Sequence, residues 1–110
     1  MAVAYRNARA EASDTYAAVY TVPASTEGVV SLVQLSNIDG TDPASGVGVR
    51  WVDDSATANT VLIQDAEIPV GEALDVLGGG ALNLEAGDSI EVVASAAGDV
   101  QVTVSVMEVS

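Results

Sequence analysis

Apolar and polar residues alternate with a period of two over most of this chain, the pattern of strands with one face buried. The alternation is cleanest in residues 100–109, where Val100, Val102, Val104 and Val106 take one face and Gln101, Thr103, Ser105 and Met107 the other. Residues 89–95 alternate as well, so the pattern predicts a β-hairpin folded around Ala96-Ala97-Gly98-Asp99. Residues 46–53 (GVGVRWVD) predict a strand with Val47, Val49 and Trp51 inward and Gly48, Arg50 and Val52 outward. Residues 27–38 place Val29, Ser31, Val33, Leu35 and Asn37 on one face and Val30, Leu32, Gln34, Ser36 and Ile38 on the other. Both of those faces are partly apolar, which predicts a central strand or one packed in an interface. Shorter strands are predicted at 16–22, where Pro23 ends the run, and at 60–64, 73–77 and 81–84.

Turn chemistry separates these runs. Asp39-Gly40-Thr41-Asp42-Pro43, Ile68-Pro69-Val70-Gly71-Glu72 and Glu85-Ala86-Gly87-Asp88 all read as turns. The three glycines at 78–80 predict a bulge or tight corner. About seven or eight short strands at roughly ten-residue spacing predict an all-β domain, an antiparallel β-sandwich or jelly roll. The spacing does not separate sandwich from barrel. Residues 1–15 are read as an N-terminal arm and 16–110 as the β-sandwich domain. The arm is polar, Ala-rich and weakly patterned. It suits an extended segment or an edge strand on a neighbour, with a short helix as the competitor because NARAEA holds good helix formers.

Composition narrows the chemistry. Sixteen acids face three arginines, for a net charge of −13. Direct nucleic-acid binding, which needs clustered Lys or Arg on phosphates, is therefore not expected. Arg6 and Arg9 precede the first acid, Glu11, so a short basic arm leads into an acidic body that keeps Arg50 alone. The apolar runs are too short to cross a bilayer, and no apolar segment follows Arg6 and Arg9 as in a signal peptide, so no membrane partner is expected.

The absence of cysteine excludes disulfides and thiolate metal sites, and the absence of histidine and lysine removes the usual bases that activate Ser or Thr nucleophiles. No catalytic residue, cofactor or metal ligand is assigned. Asp53-Asp54, Asp65 and Glu67 resemble glycosidase pairs only in being acids, and few aromatics exist to stack a sugar. Calcium is the more reasonable alternative: Asp39, Asp42, Asp53 and Asp54 would offer oxygen ligands if their loops shared one end of the domain, although no ordered ligand spacing is present. Trp51 is read as core, and Arg50 as an outward residue in an ion pair within or between subunits.

Three segments carry a resemblance. YTVPASTEGVVSLVQLSNIDGTD, AEIPVGEALDVLGG and LNLEAGDSIEVVASAAGDVQVTVSVMEV resemble a family of small virion proteins of tailed bacteriophages, over residues 19–109. The matching residues are strand and turn residues, so the resemblance implies fold and setting rather than an active site. It implies a non-enzymatic structural protein of the virion, a capsid decoration (cement) protein that bridges subunits of the head. Its partners would be the major capsid protein or other virion proteins, together with further copies of itself as a homo-oligomer. A neck, tail-tip or fibre subunit is the alternative within the same setting, and a calcium-dependent host-surface or carbohydrate-binding module is the alternative outside it. The arm lies outside the matching region and carries Tyr5, Arg6 and Arg9, which are the expected partner-binding residues.

Overall fold

The computed structural model describes residues 1–96 and 98–110. It is a β-sandwich of nine strands: β1 (Val3–Glu11), β2 (Ala17–Thr21), β3 (Glu27–Asn37), β4 (Ala44–Asp53), β5 (Ala58–Ile68), β6 (Ala73–Asp75), β7 (Leu82–Leu84), β8 (Ser89–Val93) and β9 (Val100–Val109). One sheet runs β1-β9-β3-β6, with β7 also on β3, and the other runs β2-β8-β4-β5. All pairings are antiparallel. The chain passes from one sheet to the other at every connection except β4–β5 and β6–β7.

That alternation overturns the predicted hairpin of residues 89–109. β8 lies between β2 and β4, whereas β9 lies between β1 and β3 in the opposite sheet. The intervening segment is held to other parts of the chain: Ala94 N–H bonds to Ser13 C=O, Gly98 N–H to Ala12 C=O, and Ile38 N–H to Asp99 C=O. Those bonds spread the ends of the two strands across the sandwich. Ala97 of the predicted turn lies outside the described residues. The turn at 78–80 is a backbone corner, with Gly78 and Gly79 at φ of 59° and 88° and Gly80 N–H bonded to Leu77 C=O.

The inner faces supply the core. Val100, Val102, Val104 and Val106 of β9 meet Val30, Val33 and Leu35 of β3, and Val47, Val49, Ile90 and Val92 close it from the other sheet. β3 departs from the predicted alternation at one place. Val30 pairs with Val106 and Leu32 with Ser105, so Ser31 is a bulge. The extra residue resets the phase, and Gly28, Val30, Val33, Leu35 and Asn37 all turn inward. Trp51 faces inward opposite Ile90 but is only half-buried, at the margin of the core.

Candidate interaction surface

Residues 3–11, read from the sequence as part of an arm, form β1 on the chain's own β9, paired without a register shift from Val3↔Val109 to Glu11↔Gln101. The pairing sorts the three expected partner-binding residues onto different faces. Arg6 takes the inward phase of the strand at the sheet margin, with its side chain still 64% exposed, while Tyr5 and Arg9 lie on the outer face opposite Met107 and Thr103.

Arg6 is engaged within the chain. Its Nε donates to Glu108 Oε1 at 2.8 Å, and Tyr20 Oη, arriving from the other sheet, donates to Glu108 Oε2 at 2.6 Å. Glu108 occupies a core-facing position in the β9 alternation and is buried. The Tyr20 hydroxyl and then Arg6 hold its carboxyl below the usual carboxylate range. Burial, reinforced by the neighbouring carboxylate, pushes the Tyr20 phenol well up. Sequence reasoning missed this triad, although the period-two pattern carried its signal: Glu108 is in phase with Val100–Val106.

Outside that lock, the outer face of the β1–β9–β3 sheet carries an apolar cluster towards one end. Tyr5 is 82% exposed, Val3 50% exposed, and both adjoin half-buried Met107, Val109 and Val29. Asn7, Ser105 and Ser31 form a polar ridge across it, with Ser105 Oγ donating to Asn7 Oδ1 at 2.8 Å and Ser31 Oγ to Ser105 C=O at 3.4 Å. Of the sixteen acids, only Glu11, Glu27 and Asp75 sit on outward positions of this sheet, at strand ends or on the marginal β6. Arg9 is on this face and makes no ion pair among the described residues. Tyrosine, methionine and arginine are residue types enriched in protein–protein contacts, and acids are depleted there.

Arg50 takes the local option. Its Nε and Nη2 lie 2.7 and 2.6 Å from Glu91 Oε1 directly across β8, and its guanidinium sits 4.0 Å from the ring centre of Tyr16.

The acids do not gather as the calcium alternative required. Asp39 and Asp42 precede β4, and Asp53 and Asp54 lie at its far end. Ten residues of strand separate the two pairs by about 30 Å. Asp39 is occupied locally: it accepts from Thr41 N–H, Thr41 Oγ1 and Asp42 N–H, and those bonds hold its carboxyl below the usual range. The acids that do approach one another are Asp53, Glu85 and Asp88, with one oxygen of each within 4.8 Å of the others. Asp88 is buried, and its carboxylate accepts from Glu85 N–H at 2.9 Å, Asp54 N–H at 3.0 Å and Trp51 Nε1 at 3.4 Å. It is a structural brace between the 85–88 turn and the end of β4. Asn37 has the same character at the opposite end, where its amide donates to the carbonyls of Asp42 and Ile68, both at 3.0 Å.

No protein-family model matches the chain, and no curated protein matches it significantly. Solved structures do match in fold. A protein of the Bacillus endospore appendages, described as a family of disulfide-linked pili, superposes with a TM-score of 0.56 at 14% identity over 99% of this chain and 87% of that one. Two structures of a pentameric capsid protein isolated from metagenomic phage sequences give TM-scores of 0.44 at 15% identity over 91% of this chain, which spans about 60% of theirs. At such identities the appendage protein shares the sandwich fold with this chain.

Proposed function

We propose that this chain is a non-enzymatic structural protein of a bacteriophage virion, a decoration protein that docks on the head and bridges capsid subunits. The observation that carries the reading is the acid-poor outer face around Tyr5 and Arg9, where the nearest carboxylates, Glu11 and Glu27, stand at strand ends. A chain with a net charge of −13 repels most acidic surfaces, yet this face gathers exposed Tyr5 and Val3 beside Met107 and Val109, carries Arg9, and keeps its few carboxylates at strand ends or on β6. The resemblance of residues 19–109 to small virion proteins supports the setting. The fold is shared with a pilus protein described as disulfide-linked, a linkage with no counterpart here because the chain has no cysteine.

Tyr5 and Arg9 would make the contacts with the shell, and Arg6 would hold β1 in place through Glu108. The test is a count of copies per particle by quantitative mass spectrometry, together with binding of Tyr5→Ser/Arg9→Glu to heads lacking the protein. Hundreds of copies on the head, and loss of binding at an unchanged melting temperature, are expected. A dozen copies or fewer at one vertex would instead favour a neck, tail-tip or fibre subunit. Undiminished binding by the double variant would remove the face from the contact.

A further inference from the structure

The strand edges of this sandwich are treated unequally. An exposed edge strand is a template for pairing with another chain, and proteins blunt such edges with short strands, bulges and charges. Three of the edge strands here are blunted. β6 and β7 have three residues each, and β2 has five with a bulge at Val19. β1 is different: it has nine residues in unbroken register with β9. Ala2 and Ser110 exchange both backbone hydrogen bonds, and Ala12 N–H bonds to Val100 C=O. In that register the even-numbered residues bond to β9, so the N–H and C=O groups of Val3, Tyr5, Asn7, Arg9 and Glu11 point to the open side.

β5 is the second long edge, on the opposite flank of the molecule in the other sheet. Its distal half is irregular, with Asp65 in the left-handed region at φ 52° and register shifts on either side of Val49 in β4. Its first half, Ala58-Asn59-Thr60-Val61, pairs evenly with β4, carries no charge and exposes Val61. Acids bracket this open stretch: Asp53 and Asp54 before it, Asp65 and Glu67 after it. The open β1 edge carries Arg9 and no acid before Glu11.

We propose that copies of this chain associate head to tail, with β1 of one copy adding to the free β5 edge of the next. A second copy is the occupant that the two edges select. Both are uncapped, they lie on opposite flanks, and the basic edge meets a neutral stretch framed by acids. The joint makes the β1–β9–β3 sheet of one copy continuous with the β2–β8–β4–β5 sheet of its neighbour. Because the two surfaces differ, the contact is heterologous and propagates into a closed ring or an open filament.

The pairing is tested on the isolated protein, without phage particles, so its outcome is separate from the head-docking reading. Sedimentation of the full chain is followed over rising concentration, in salt high enough to screen the repulsion between acidic copies. The wild type is expected to form species larger than a dimer. Asn7→Pro removes an outward N–H and no backbone bond to β9, giving up only the side-chain bond from Ser105 Oγ, and Val61→Lys puts a charge on an exposed edge position; each alone is expected to remain monomeric over a concentration range at least tenfold above wild-type assembly. Their mixture is expected to stop at the dimer, since each variant retains the edge that the other has lost. Circular dichroism checks that both variants keep the wild-type strand signal, and the Lys variant tests the pairing independently should the Pro variant not fold. A wild type that stays monomeric throughout, or a Val61→Lys variant that still assembles, would overturn the proposal.

Discussion

Tyr20 and Glu108 meet across the sandwich, the phenol of β2 donating to the carboxylate of β9 at 2.6 Å. This bond joins the two sheets through polar groups, and Arg6 completes it from β1. Tyr20→Phe leaves a buried carboxylate oxygen without its donor and is expected to cost about 1.5–3 kcal/mol, the range for a hydrogen bond to a charged group. The acid limb of stability follows from the same site. Glu108 titrates below its ordinary value in the folded chain, so its contribution is present above the unfolded pKa of about 4.3 and is lost as the pH falls through the lower folded value. Thermal melts of wild type and Glu108→Gln are therefore expected to differ at pH 7 and to draw together progressively as the pH falls below the ordinary carboxylate range. A gap that stayed constant with pH would contradict the assignment.

Gly87 is the second residue whose identity is forced. It sits at φ 88° in the turn closed by Asp88 N–H on Glu85 C=O, and a Cβ there would lie 2.8 Å from Asp54 Oδ2. Gly87→Ala adds left-handed strain and obliges the Asp54 carboxylate to shift aside. It is expected to lower stability by about 1–3 kcal/mol, read as a shift of the urea midpoint at unchanged slope. A neutral result would mean that the turn can change type without cost.

The sandwich class, the β9 alternation and the corner glycines were legible in the chain because each depends on a local rule. Two features were not, for physical reasons that differ. Ser31 is an ordinary strand residue, and nothing in its identity announces that it lies outside the ladder, so the bulge that turns both Val30 and Val33 inward is invisible to a strict period of two. The partners of β8 and β9 depend on contacts far along the chain, and a turn-like Ala-Gly-Asp segment fits a crossover between sheets as well as a hairpin. The candidate surface was half legible. Tyr5, Arg6 and Arg9 stood out by charge, but their division between an inward lock and an outward face needed the register with β9.

Asp88 yields a prediction that separates bracing from metal binding. Asp88→Ala strands two backbone N–H groups and weakens the hold on the Trp51 indole, at an expected cost of about 2–4 kcal/mol. Trp51 is the only tryptophan, so its emission is expected to shift to the red in the folded variant as well as on unfolding. Millimolar calcium is expected to leave the wild-type melting temperature in place, because both oxygens of Asp88 already accept N–H donors. A calcium-dependent rise of several degrees that Asp53→Asn abolished would make the Asp53–Glu85–Asp88 group a cation site.

Removing residues 1–12 is the sharpest test of what the N-terminal segment does. A free arm would leave the sandwich intact when deleted. As a strand, β1 covers the edge of β9, brings Arg6 to Glu108, and leads into Ala12, which is buried and bonded to Val100 C=O. Its loss would open the backbone of β9 at an edge lined by Val102, Val104 and Val106, and would leave Glu108 without its cation. The truncated chain is expected to melt well below wild type and to aggregate with time, whereas Arg6→Met, which keeps the strand and removes only the ion pair, should lower the melting temperature by a few degrees, about 4 °C per kcal/mol for a domain of this size. A truncation that melted like the full chain would return residues 1–12 to the status of an appended arm.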